Sequence, residues 1–180
     1  MKLINKALLL TSGLLLSSAV MAASYQACST SGCRTAGSAW VLSSYAKTKY
    51  PVILAHGMGG FSSIAGIEYF YGIGSNLTQN GAQVFETQVA SFDSSYVRGE
   101  QLLNQTKQIL AITGASKVNL IGHSQGALDV RYVAAMLPVK VASVTTVGGA
   151  NQATPVADAV LKVLNTPTGS LFAPVIMAGV

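Results

Sequence analysis

The order of hydrophobic and polar residues predicts strands that alternate with helices. Short apolar runs rich in Val and Ile are typical of buried strands, and they lie at 51–55, 82–90, 117–121 and 139–147. Segments with helical spacing accompany them at 75–80, 100–113 and 125–136. Strands that alternate with helices predict an α/β fold, in which a parallel sheet is covered on both faces.

Two of the helices also have recognisable ends. The segment 100–113 places Leu102, Leu103, Thr106, Ile109 and Leu110 on one face, and Gly114 is expected to end it. A last helix is expected to begin with Thr154 as N-cap and Pro155 as its first residue. Its apolar face consists of Val156, Val160, Val163 and Leu164.

The chain divides into three parts. Residues 1–22 have two lysines, a short apolar stretch and small residues at the end, which is typical of a secretory signal peptide. The alternative is a membrane anchor, although the apolar stretch is shorter than the roughly 20 residues of a membrane span. Residues 23–49 are polar and are expected to form a loose segment, and residues 50–180 form the α/β domain. We therefore expect a secreted protein.

If the protein is exported, its two cysteines are expected to meet an oxidising compartment. Cys28 and Cys33 flank a Ser/Thr/Gly-rich stretch, so that an oxidising compartment favours a small local disulfide. The alternative is two unpaired thiols without a role. A metal site is not expected, since no second cysteine pair or nearby histidine completes one.

Composition and charge exclude several classes of protein. Half of the residues are hydrophobic and 9% are charged, which excludes a disordered or coiled-coil chain. The net charge is +5, from 11 basic and 6 acidic residues, but the basic residues do not cluster. A nucleic-acid-binding function therefore has no support in the sequence.

The most informative motif is Gly-His-Ser-Gln-Gly at 122–126, between a predicted strand and a predicted helix. This is the setting of a nucleophile elbow, in which Gly122 and Gly126 permit a sharp turn and Ser124 projects above the sheet. The helix N-terminus would stabilise negative charge there. A serine in an ordinary strand–helix turn is the alternative.

A second motif, His56-Gly57-Met58, follows the first apolar run. Acyl transfer needs two backbone N–H groups directed at the developing oxyanion, and these are expected from Met58 and from Gln125, the residue after Ser124. A simple turn at the end of a strand is the alternative for His56-Gly57.

These and further motifs resemble the secreted bacterial true lipases of the Pseudomonas and Burkholderia type, which have the α/β-hydrolase fold. The resemblance extends over about 45–159 and includes the stretches 49–51, 81–84, 97–103, 117–124 and 131–135. It implies that Ser124 is the nucleophile of a triacylglycerol lipase, with the N–H groups of Met58 and Gln125 in the oxyanion hole. It also implies a lipid interface as substrate, a membrane-anchored foldase as partner, a structural calcium ion, and a lid that begins within 154–180.

The chain departs from that family in one respect that matters for chemistry. Family members continue past position 180 and carry the triad acid, the triad histidine and the calcium ligands there, so the chain is expected to be C-terminally truncated and to lack the last strands. His56 and His123 both belong to motifs already described, and neither is expected to act as the base. Asp93, Asp129 and Asp158 are expected to be solvated or helix-end carboxylates.

Other functions stay open at this point. A short-chain esterase or a polyester depolymerase would use the same fold and the same elbow. A secreted protein that keeps the elbow but binds lipid or a partner without catalysis is the remaining alternative. As it stands, the truncated chain is expected to be inactive.

Overall fold

The computed structural model describes residues 22–64, 67–151 and 155–168. The strands are β1 (Ala22–Ser29), β2 (Gly32–Trp40), β3 (Val52–Ala55), β4 (Ser63–Ile64), β5 (Ile67–Glu68), β6 (Val84–Thr87), β7 (Val118–His123) and β8 (Val141–Val147). The helices are α1 (Ile73–Gln79), α2 (Ser95–Thr113), α3 (Gly126–Met136) and α4 (Pro155–Leu164). The predicted signal peptide up to residue 21, the expected N-cap Thr154 and the end of the expected lid region lie outside the described residues.

Six strands form one sheet in the order β2-β1-β6-β3-β7-β8, and β4 pairs with β5 in a separate two-stranded sheet. All pairs of the large sheet are parallel except β1 with β2. In its centre, Ile53 of β3 is in register with Phe85 of β6 on one side and with Leu120 of β7 on the other. The structure confirms the predicted α/β class and the mostly parallel sheet.

Alternate residues of the central strands pack against helices on opposite faces, as the two-residue period of a strand requires. Ile53 and Phe85 belong to one core cluster, together with residues of α2 and α3 such as Leu102 and Val130. Val52, Leu54 and Val84 belong to the other, which Leu77 of α1 joins. Both faces of the sheet are therefore covered, as the continuous apolar runs predicted.

Helix α2 begins five residues earlier than its apolar pattern predicted. Ser94 is its N-cap, and its hydroxyl oxygen accepts a hydrogen bond from the backbone N–H of Val97 at 3.3 Å. Its first turns were missed because Arg98, which takes an inward-facing position there, is polar. The predicted end is confirmed: Gly114 caps the helix with φ +65° in the left-handed region.

The segment 23–49 is not loose throughout, and that expectation was wrong. Its first part forms the antiparallel hairpin β1–β2, and β1 also pairs in parallel with β6. Cys28 and Cys33 lie opposite each other at the end of the hairpin and are joined by a disulfide. The hairpin is polar because β2 is an outer strand with exposed side chains, so it lacks the apolar pattern of a buried strand.

Strand β8 is the other outer strand of the sheet, as expected for the run 139–147. Val139, Val144 and Val147 are exposed, whereas Val141 packs against the core. Helix α4 follows it and begins at Pro155 as predicted. Among the described residues, no helix has both the length and the hydropathy that a membrane crossing needs.

Candidate active site

Ser124 lies at the turn between β7 and α3, at the carboxyl end of the central strands. Its φ is +53°, and among the described residues it is the one non-glycine with a positive φ. Such a backbone is costly for a residue with a Cβ and is typical of a nucleophile elbow. Its own N–H donates to the carbonyl oxygen of Val147 at 3.0 Å, which ties the turn to the end of β8.

The two glycines beside it are required by close backbone contacts. A Cβ on Gly122 would lie 2.2 Å from the carbonyl oxygen of Gly126, and a Cβ on Gly126 would lie 2.4 Å from that of Ala55. Neither distance is compatible with a side chain. The turn therefore folds this tightly only with glycine at both positions, as the motif predicted.

The loop after β3 passes directly against the serine. A Cβ on Gly57 would lie 2.8 Å from the Cβ of Ser124. The N–H of Gly59 donates to Ser91 at 2.7 Å, and the Ser91 hydroxyl donates to the carbonyl of Gly60 at 2.8 Å. The loop is thus held against the connection between β6 and α2, and its backbone is fixed beside the serine.

Of the predicted oxyanion donors, Met58 follows Gly57 on this loop and Gln125 follows Ser124 on the elbow. Neither backbone N–H has a hydrogen-bond partner among the described residues, and the hydroxyl of Ser124 has none there either. The side chain of Gln125 points elsewhere, since its Nε2 donates to the carbonyl of Asp93 at 2.9 Å. Acyl transfer needs two such unpaired N–H groups directed at the oxyanion that forms at the serine. This geometry agrees with the predicted roles, which stay predictions.

His56 is fully buried, and both of its ring nitrogens are hydrogen-bonded to backbone groups. The N–H of Val89 donates to Nε2 at 3.3 Å, which leaves the proton on Nδ1, and Nδ1 donates to the carbonyl of Gly57 at 2.8 Å. Burial, and to a smaller extent the charge of Arg98, lower the pKa of His56. The imidazole is therefore neutral, and it supports the loop rather than Ser124.

His123 precedes the serine but contacts a tyrosine instead. The hydroxyl of Tyr69 lies 2.5 Å from Nδ1 of His123 and accepts the N–H of Gly57 at 3.2 Å. Tyr69 therefore links the strand β7 to the loop after β3. Tyr69 could not be predicted from the sequence, because its partners lie 12 and 54 residues away along the chain.

A buried ion pair lies behind the site. Arg98 and Asp129 are both fully buried, with 2.8 Å between the guanidinium and the carboxylate. The same guanidinium donates to the carbonyl oxygens of His56 at 2.7 Å and of Ala90 at 2.6 Å. Burial raises the pKa of Asp129, and the charge of Arg98 opposes that rise. Asp129 lies in the first turn of α3, which is the helix-end alternative of the prediction, and it is buried there rather than solvated.

Two further predictions concern Asp93 and the presence of a metal site. Asp93 accepts a hydrogen bond from the N–H of Ser94 at an exposed position. No group of three or more His, Cys, Asp or Glu among the described residues could hold a metal ion. The described residues therefore do not fit the calcium ion that the resemblance implies. The resemblance places the ligands of that ion past position 180.

The elbow lies within a region that matches a known protein family. Residues 50–169 match the family described as the alpha/beta hydrolase fold. The chain belongs to this family. A solved structure of a Bacillus licheniformis lipase in its mature form agrees in fold: the TM-score is 0.55 at 19% identity, over 68% of this chain and 49% of that one.

The chain is also similar in sequence to curated lipases. It is 52% identical over 127 residues to a triacylglycerol lipase of Vibrio cholerae, a match that covers 71% of this chain and 40% of the relative. A triacylglycerol lipase of Burkholderia plantarii is 50% identical over 139 residues, or 75% of this chain and 39% of the relative. The chain thus spans about two fifths of the length of these relatives.

Proposed function

We propose that this chain carries the nucleophile and the oxyanion hole of a secreted triacylglycerol lipase. The observation that supports this most directly is the strained elbow at Ser124, together with the N–H groups of Met58 and Gln125, which have no hydrogen-bond partner among the described residues. The two relatives of about 50% identity, both named triacylglycerol lipase, support the substrate class.

In the proposed reaction the hydroxyl oxygen of Ser124 attacks the carbonyl carbon of the ester. The carbonyl oxygen becomes an oxyanion that accepts hydrogen bonds from Met58 and Gln125. The C–O bond to the alcohol then breaks, the alcohol leaves with a proton, and water hydrolyses the acyl-serine. The elbow fixes the backbone of Ser124 and Gln125, and the loop after β3 carries Met58, so the two donors need no reorganisation during the reaction.

The serine proton must pass to a base, and neither histidine is hydrogen-bonded to the Ser124 hydroxyl among the described residues. His56 is bonded to Val89 and Gly57, and His123 is bonded to Tyr69. We propose that the base belongs to a part of the protein outside the described residues, as the resemblance implies. Secretion, the foldase and the calcium ion are further proposals that rest on the same resemblance.

The experiment uses an exchange protein, in which the matched 127 residues of the Vibrio cholerae relative are replaced by those of this chain. We expect it to hydrolyse emulsified long-chain triacylglycerol in preference to short-chain esters. Ser124→Ala should lower kcat by at least about 10³-fold, whereas the control Ser143→Ala on outer strand β8 should leave it within twofold. Activity of Ser124→Ala within tenfold of the parent would refute the nucleophile. A preference for short-chain esters would refute the substrate class alone.

A further inference from the structure

A groove of about 620 Å³ lies beside the N-terminal hairpin, outside the serine site. Its walls are the hairpin turn, the residues after β6, Ser62 and Gln101 of α2. The volume is within the range of small-ligand sites. Because β1 and β6 are parallel, the groove lies at the carboxyl ends of two neighbouring strands, where open α/β sheets bind ligands.

The lining is polar and carries one charge. Arg34 has no ion-pair partner among the described residues, and none of the described residues that line the groove carries a carboxylate. The other polar side chains there are hydroxyls and amides, from Ser29, Thr30, Ser31, Ser62, Gln88 and Gln101. A lining of this kind does not suit an acyl chain.

The free polar groups of the two amides are donors. Oε1 of Gln88 accepts from both the N–H and the hydroxyl of Ser62, at 3.3 and 2.8 Å. Oε1 of Gln101 accepts from the N–H of Ala90 at 2.7 Å. These bonds fix the orientation of both amides and leave both Nε2 groups without a partner among the described residues. Together with Arg34 they form a set of N–H donors that an oxygen-rich anion would satisfy.

The groove is also held in shape before any ligand arrives. The Cys28–Cys33 disulfide closes the hairpin turn, and the hydroxyl oxygens of Ser29 and Ser31 lie 2.8 Å apart within it. The N–H of Gln88 donates to the carbonyl of Cys28 at 2.8 Å and joins the two walls. A site that is ordered in advance loses less conformational entropy on binding.

We propose that this groove binds a carboxylate or phosphate group, with Arg34 as the charged partner and the amides of Gln88 and Gln101 as neutral donors. The anion could belong to a lipid headgroup or to a small solute, since both present the same oxygens. The site does not depend on Ser124 or on the lipase reaction.

The test is a titration of the full chain with inorganic phosphate and, separately, acetate. Side-chain amide signals of Gln88 and Gln101 are followed by nitrogen–proton NMR. We expect saturable shifts of both signals with at least one of the anions. Arg34→Gln should weaken binding at least tenfold, whereas the matched control Arg131→Gln should change it less than twofold. Absence of saturable shifts, or equal losses in the two variants, would overturn the proposal.

A second variant and a vesicle assay complete the test. Gln101→Glu keeps the acceptor for Ala90 but places a carboxylate in the groove, so it should weaken anion binding at least tenfold. If it binds as tightly as the parent, the assignment of the donors is wrong. Co-sedimentation with phosphatidylcholine vesicles, with or without phosphatidic acid, identifies the source. Arg34-dependent binding to the phosphatidic acid vesicles indicates a headgroup, and binding of the free anions alone indicates a solute.

Discussion

The two neighbours of strand β7 differ in how they support the serine at its end. On one side, every residue of β3 is buried, and Ala55 comes so close to the elbow that Gly126 has no room for a side chain. On the other side, most residues of β8 are exposed, and among the described residues one hydrogen bond, from the N–H of Ser124 to the carbonyl of Val147, joins β8 to the serine.

The comparison shows which half of the sheet fixes the nucleophile. The strained backbone of Ser124 persists only if packing around it is tight, and that packing comes from β3, the loop after it and α3. Strand β8 adds one bond and an outer strand with exposed valines. We therefore expect substitutions on the β3 side to change stability strongly and those on the β8 side to change association instead.

The largest effect is expected for Gly126→Ala. The new Cβ would lie 2.4 Å from the backbone oxygen of Ala55, so the elbow or the strand must move. We expect the free energy of unfolding to fall by about 3 kcal/mol in urea denaturation. The control Gly114→Ala has a positive φ but open space around it, and should cost about 1 kcal/mol. If the control costs as much as Gly126→Ala, contact with β3 does not fix the elbow.

The next effect concerns a buried carboxyl on the same side of the sheet. Glu86 on β6 is 1% exposed, and its Oε1 has no hydrogen-bond partner among the described residues. Burial, and secondarily the charge of Glu68, raise the pKa of Glu86 to about 7 from its ordinary value of 4.5. Between these two values the folded chain keeps a proton that the unfolded chain has lost, so stability falls as the pH rises through this window.

Glu86→Gln should remove this pH dependence. We expect it to raise the free energy of unfolding by roughly 2 kcal/mol at pH 8 and to change it little at pH 4, because the protonated acid resembles the amide. Urea denaturation at the two pH values measures this. The control Asp158→Asn removes a carboxyl at an exposed position, and its effect at pH 8 should be smaller than that of Glu86→Gln. If Glu86→Gln loses as much stability between pH 4.5 and 7 as the parent does, Glu86 is not the cause and the prediction is wrong.

The smallest effect on stability is expected on the β8 side. Val144 is 39% exposed on an outer strand, and apolar outer strands pair with other chains. Val144→Lys should change the free energy of unfolding by less than about 0.5 kcal/mol but increase the monomer fraction in size-exclusion chromatography. Ile112→Lys on α2 introduces the same change away from the sheet edge. An equal gain in monomer from both variants would show that charge, rather than the strand edge, prevents association.

The elbow was predictable from sequence because its constraints are local. Gly122 and Gly126 are needed by contacts with each other and with the adjacent strand, and they stand beside Ser124 in the chain. The central strands were predictable for a similar reason, since burial on both faces leaves a continuous apolar run.

The parts that sequence did not predict depend on distant partners. The hairpin β1–β2 is polar, and its place in the sheet comes from pairing with β6 more than 50 residues later. The partners Arg98 and Asp129 are 31 residues apart. A signal did exist for Arg98, since it is a charged residue at an inward position of α2, four residues before Leu102. Such a residue needs a buried partner, but the spacing does not say which one.

The most direct test of the account is to label the nucleophile. The exchange protein is treated with a nitrophenyl alkylphosphonate, in which attack by a serine oxygen forms an O–P bond and releases nitrophenolate. Intact and peptide mass spectrometry then locate the adduct. We expect one adduct per chain, on Ser124, and loss of both labelling and ester hydrolysis in Ser124→Ala. An adduct on another serine of the chain, with ester hydrolysis intact in Ser124→Ala, would contradict the account.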